Sequence, residues 1–185
     1  MNDKIILGID PGTNIMGYGI IFAKGTKISL IKMGILKLNA KKNQLEKLQD
    51  IYETVSQLIM EYTPHEMAIE SPFFGKNVQS MLKLGRAQGV SIAAALTHNV
   101  PVFEYAPKKV KMAIVGKGAA SKEQVAAMLC HIIDNFHQEN IPTMDASDAV
   151  AIAYCHYLQN SPKVKQKESS SWANFLAKNP DRIVK

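Results

Sequence analysis

Apolar positions change their rhythm several times along the chain. Residues 4–10 and 17–23 are nearly unbroken apolar runs, separated by Pro11-Gly12-Thr13-Asn14. Two such runs around a turn-forming cluster predict a hairpin. Residues 27–37 predict a third strand, with Gly34 as a bulge position. From Leu45 the period lengthens: Leu48, Ile51, Tyr52, Val55, Leu58, Ile59 and Tyr62 recur at helical spacing until Pro64 stops the helix. Met67-Ala68-Ile69-Glu70 is a second buried strand, closed by Ser71-Pro72. A helix over about 78–96, a strand over 100–105 and a short basic helix opened by Pro107 follow. Ser121 and Gln124 form a capping-box pattern ahead of a helix with Val125, Met128, Leu129, Ile132, Ile133 and Phe136 on its inner face. The last helix carries Asp145 and Asp148 and continues through Val150, Ile152 and Ala153 to about Leu158. This order predicts an α/β fold, a mixed central sheet flanked by helices, with no internal repeat.

Composition divides the chain once. Residues 1–160 form one domain, and at 185 residues and 46% hydrophobic the chain has material for one sizeable core. Residues 161–171 are lysine- and serine-rich and read as a linker, so 161–185 are a polar linker and short C-terminal tail. Within that tail Trp172, Phe175 and Leu176 sit at helical spacing, as an apolar face that folds back on the domain or docks on a partner. No stretch is apolar for the length of a membrane span, and Met-Asn-Asp-Lys is not a signal-peptide start. Cys130 and Cys155 lie in helical segments without metal-ligand spacing, as buried reduced thiols of a cytoplasmic protein would. The five histidines form no zinc motif.

Charge and the placement of acids turn this outline toward chemistry. The formal net charge is +6, and lysine supplies nearly all of the positive side. Lysine is a point charge suited to phosphate, so the balance fits a polyanion held through its backbone. Against that balance, Asp10 ends one strand, Glu70 ends another, and Asp145 and Asp148 stand three apart on one side of a helix start. Acids at strand ends beside an acidic helix start converge in an α/β fold. Their mutual repulsion is relieved by a hard divalent cation with oxygen ligands, for which Mg²⁺ is the expectation and Mn²⁺ also suits. Gly85, Gly89 and Ala93 form a small-residue stripe on the second helix. Each glycine costs a helix roughly 1 kcal/mol against alanine. Close backbone approach offsets that, to the chain's own sheet on the residues alone or to a second subunit.

Ile9-Asp-Pro-Gly-Thr13, Asn77-Val78 leading into Leu84-Gly-Arg-Ala87, Pro107-Lys-Lys-Val-Lys111 with Val115-Gly-Lys-Gly118, and Asp145-Ala-Ser-Asp-Ala149 occur in one order over about residues 4–158. Together they resemble the RuvC family of Holliday-junction resolvases. The resemblance implies a ribonuclease H-like fold, a homodimer, paired nicking of four-way DNA junctions, and work with a RuvA–RuvB branch-migration complex. It implies that Asp10, Glu70, Asp145 and Asp148 are the catalytic, metal-binding acids; two divalent ions suit phosphodiester hydrolysis, and Asp10, at the central strand end, is best placed to bridge them. It places the aromatic wedge of the family on Phe73, with Phe74 able to share the role. Basic contacts near the scissile phosphate fall on Lys111 and Lys122, with Lys108, Lys109 and Lys117 completing a DNA-facing cluster. On this likeness the glycine-bearing helix turns toward a second subunit.

Rival readings are met by particular residues. Gly8-Ile-Asp-Pro-Gly-Thr13 also resembles the first phosphate loop of actin- and sugar-kinase-like ATPases. Those need a second such domain and a second phosphate loop, which this length excludes. A non-catalytic junction-binding protein would gain nothing from four acids set against DNA. Another ribonuclease H-like resolvase is the alternative within the nuclease class.

Overall fold

In the computed structural model, residues 3–72 and 77–160 are described. Strand β1 (Lys4–Asp10) pairs antiparallel with β2 (Ile15–Lys24), and β2 with β3 (Lys27–Lys37). On its other side β1 pairs in parallel with β4 (Glu66–Glu70), and β4 with β5 (Val102–Tyr105). The sheet order is therefore β3-β2-β1-β4-β5, mixed as expected, with β1 at its centre.

The two-residue period of β1 sorts its side chains to opposite faces. Leu7 and Ile9 join Met16, Ile20, Met67 and Ile69 on one face. There they meet α1 (Gln44–Tyr62) through Ile51, Val55, Leu58 and Ile59, and α2 (Val78–Thr97) through Ala87, Ala94 and Ala95. Ile6, Ile21 and Ala68 point the other way, into a core built with α3 (Pro107–Val115), α4 (Lys122–Ile132) and α5 (Met144–Asn160). Helices α1 to α4 begin where the chain supplies a start. Asn43 and Ser121 make full capping boxes with Glu46 and Gln124, Asn77 accepts from the Ser80 amide, and Pro107 occupies the first turn of α3. Helix α1 ends at Thr63 in the left-handed region, just before Pro64.

Three local expectations change. The irregularity in the β2–β3 pairing falls between Ile20 and Ile21, not at Gly34. Gly34 lies directly across from Tyr18, whose phenol covers it: a Cβ there would sit 2.4 Å from the Tyr18 hydroxyl. Helix α4 ends at Ile132, so Ile133 and Phe136 are core residues beyond it. The chain leaves the helix because the β3 edge offers unpaired backbone groups. Asp134 donates its amide to Ile28 and accepts from Leu30, and left-handed Asn135 turns Phe136 inward. Finally, Gly85 and Gly89 do not pack on the sheet, since nothing lies within 4 Å of where their Cβ atoms would stand. The sheet-facing side of α2 is Ala87, Gln88, Ser91, Ala94 and Ala95, and the glycines share the opposite side with exposed Leu82 and Leu96.

A polar chain crosses the second core. Lys4 pairs with Glu66, Glu66 accepts from His156 at 2.9 Å, and the other ring nitrogen of His156 meets the Tyr105 hydroxyl at 2.7 Å. His156 is fully buried, and burial holds its pKa below the ordinary value although Glu66 pulls it up. A neutral ring that donates to Glu66 and accepts from Tyr105 satisfies every member. This ties α5 to β1, β4 and β5 at once.

Candidate active site

The same alternation that builds the core aims the acids. Asp10 continues the Ile6–Gly8 side of β1, and Glu70 continues the Ala68 side of β4. The parallel register runs to Ile9 beside Ile69, so the next pair, Asp10 and Glu70, emerges side by side on the α5 face. Glu70 is steadied from behind, where the buried Gln88 amide on α2 reaches its backbone carbonyl at 3.4 Å and Glu104 at 2.7 Å.

Helix α5 reaches these strand ends because the sheet beneath it is bare. Gly8 is paired with Gly19, and Asp10 with Gly17. A Cβ on Gly8 would stand 2.0 Å from the Ala149 carbonyl oxygen, and one on Gly17 2.0 Å from that of Asp145. On Gly19 it would meet Val150 at 2.5 Å. Three glycines thus let the first turns of α5 rest on strand backbone, one of them directly across from Asp10. Reading the sequence did not single out Gly17 and Gly19; the spacing Gly17-Tyr-Gly19 opposite Gly8 was the available signal.

Oxygens of Asp10, Asp145 and Asp148 consequently lie within 4.8 Å of one another. Glu70 is not one of those three, but its charge is the largest neighbouring influence on Asp10 after burial. Burial, then Glu70 and Asp148, push the Asp10 carboxyl up to about 8. Glu70 is raised to about 7 by burial and by Asp148, against the pull of Lys122 and Lys111. Asp148 is also raised, chiefly by burial, although Lys122 opposes it. Like charges held this close, half out of water, mark a place that favours positive charge. The donors are all carboxylate oxygens, the set that hard divalent ions prefer, so the residues fit such an ion.

The lysines separate into three groups. Lys122, in the first turn of α4, pairs with Asp148 and lies 3.4 Å from Asp145. Lys111 on α3 lines a small cleft with Glu70, Asp148 and Val125, near enough to lower both acids. Lys108 and Lys117 are solvent-exposed, and Lys109 lies over the Tyr105 ring, 5.0 Å from its centre. Phe73 and Phe74 lie outside the described residues, as does the whole of 161–185.

A mixed five-stranded sheet between two helical layers, with carboxylates gathered at the ends of its central strands, defines a ribonuclease H-like nuclease. Comparison with known proteins narrows this class. The family profile "Crossover junction endodeoxyribonuclease RuvC" matches residues 6–156. The RuvC protein of Cytophaga hutchinsonii is 56% identical over 98% of this chain and 88% of its own length. That of Bacteroides fragilis is 56% identical over 99% of this chain and 97% of its own length. Among solved structures, T. thermophilus RuvC in complex with Holliday junction substrate superposes with a TM-score of 0.78 at 32% identity. That match covers 84% of this chain and 94% of the other. The chain belongs to the RuvC crossover junction endodeoxyribonuclease family.

Proposed function

We propose that this protein resolves four-way DNA junctions by paired symmetric nicks, as a metal-dependent phosphodiesterase of recombination and repair. One observation carries the reading: Asp10, Asp145 and Asp148 converge beside Glu70, with Lys122 and Lys111 at the rim. The T. thermophilus relative is described in complex with a Holliday junction, which fits the substrate class.

Mg²⁺, two ions per site, would be held by Asp10, Glu70, Asp145 and Asp148, and would supply an activated water and a neutralised leaving oxygen. The Asp10 carboxyl feels the charges of Glu70, Asp148 and Asp145, which supports it as the acid common to both ions. Lys122 and Lys111 face the same space and supply positive charge where the phosphate becomes more negative. No histidine or cysteine lies in this group, and the reading needs no protein nucleophile. Lys108, Lys109 and Lys117 would hold the DNA backbone, and Phe73 or Phe74 would stack at the opened junction centre.

Paired nicking needs two sites, and the outward face of α2 supports a homodimer. Val78, Leu82 and Leu96 are 68%, 53% and 59% exposed there, beside the two uncovered glycines. Two copies of such a face would cover it and explain glycines that cost the helix stability. Family membership supports work with a RuvA–RuvB complex, and the free thiols of Cys130 and Cys155 support a cytoplasmic setting. Residues 1–160 would be the nuclease domain and 161–185 its tail.

The test is cleavage of labelled synthetic junctions and matched duplexes with Mg²⁺, Mn²⁺ or chelator. Metal-dependent, ligatable nicks in opposing strands of the junction, absent from duplex, are expected. Junction binding without cutting, across several sequences and both metals, would leave a binding protein instead.

A further inference from the structure

Lys122 holds a position that the acids should reserve for a metal. Its helix start is fixed by the capping box of Ser121 and Gln124, with Ser121 Oγ accepting at 3.3 Å and Gln124 Oε1 at 3.0 Å. From there its ammonium pairs with Asp148 Oδ2 and lies 3.4 Å from Asp145 Oδ1. Both acids belong to the group of three whose oxygens converge. An ammonium is a compact cation with three donors, a chemical stand-in for a bound ion. A hard divalent ion would take the same oxygens at about 2.0–2.6 Å. Two cations sharing one carboxylate pair at that range repel strongly, so the arrangement seen and a metal-loaded one exclude each other. The lysine stem is flexible and its side chain 47% exposed, so it has a path outward.

We propose that Lys122 and a divalent ion are alternative occupants of the Asp145–Asp148 pair, so that metal loading evicts the lysine and turns it toward DNA phosphate. The proposal rests on the metal reading above and goes beyond it. Without metal, Lys122 neutralises the acids. With metal, it needs a new anion, and the DNA backbone provides one. Metal and DNA then favour each other's binding through a single side chain, and reciprocity requires the coupling to act equally in both directions. The protein alone would hold metal weakly and load it fully on its substrate.

The experiment compares crystals of the full chain grown in chelator and in Mn²⁺, with calorimetric Mn²⁺ titration of wild type and Lys122→Met without DNA. The expected result is an anomalous Mn²⁺ peak among the acids with Lys122 no longer bonded to Asp148. In parallel, Lys122→Met should bind Mn²⁺ about tenfold more tightly than wild type. A Mn²⁺ peak with Lys122 still on Asp148 overturns the exchange while leaving the metal reading intact, as does equal affinity of the two proteins. Absence of Mn²⁺ binding in both proteins, by crystal and calorimeter alike, overturns the metal reading and the exchange with it.

Discussion

Replacing Asp10 by asparagine should stabilise the metal-free protein at neutral pH. In the unfolded chain this carboxyl loses its proton near 3.8, whereas in the fold it is pushed up to about 8 by burial and by Glu70 and Asp148. Between those values the folded state holds a proton that the unfolded state has released, so stability falls as pH rises through the window. From 3.8 to pH 7 is about three pH units, which at 1.36 kcal/mol each gives a ceiling of about 4 kcal/mol. Local relaxation and water reduce it, and roughly 1–3 kcal/mol is expected. For a domain of this size that raises the melting temperature of Asp10→Asn by roughly 3–10 °C at pH 7 to 8. The gap should narrow steadily toward pH 4.5 and close only below about 3.8, where the wild-type carboxyl is protonated in both states. Excess Mg²⁺ should cancel most of this difference or reverse it. At 100 times Kd a bound ion adds about 2.7 kcal/mol to wild type, while the variant lacks a ligand. The assay is thermal denaturation of both proteins across pH 4.5 to 8, in chelator and in Mg²⁺. A variant no more stable than wild type at pH 8 in chelator would refute the reasoning. Asp10→Asn should also bind junctions but not cut them.

Further outcomes follow from other contacts. Gly17→Ala should cost about 3 kcal/mol or more and abolish nicking, since its Cβ would meet the Asp145 carbonyl at 2.0 Å; wild-type urea denaturation would discount the contact. Tyr105→Phe leaves one nitrogen of His156 with a poorer set of partners and should cost about 1–2 kcal/mol in the same measurement; no loss would remove the buried chain as a stabilising feature. Lys108→Met and Lys111→Met should weaken junction binding alike for all sequences, each lowering the salt slope by about one; a sequence-dependent loss would mean base contacts instead. Leu82→Glu with Gly89→Arg should shift sedimentation from dimer to monomer, and an unchanged dimer would move the interface off this face of α2.

What the sequence disclosed depended on whether a signal was local. The strand ends at Asp10 and Glu70 were legible because an apolar run followed by Pro11 or Pro72 has few other readings. The capping boxes and the Pro107 start were legible for the same reason. Glycines were harder, because an isolated glycine in a strand or helix says that something is close or bent without saying what. Gly34 suggests a bulge and lies under Tyr18; Gly85 and Gly89 suggest the sheet on the residues alone and a second subunit on the family likeness, and they face away from the sheet. The Tyr105–His156–Glu66 chain was out of reach, since its members are 51 and 90 residues apart. The end of α4 is hidden in the sequence because Ile133 and Phe136 keep an apolar rhythm while the backbone has already turned to pair with β3.

The bare glycine strip has a consequence for the order of events during synthesis. The β1–β2 hairpin carrying Asp10, Gly17 and Gly19 is a local product that the earliest part of the chain completes by residue 24. The helix that lies on it starts at residue 144, so about 120 residues separate the finished bed from its occupant. At roughly 5–20 residues per second, several seconds of translation pass before the last two acids leave the ribosome. Until then no partial product of translation holds all four acids of the proposed centre. A nuclease whose centre closes only with α5 cannot act on DNA before that helix has been made.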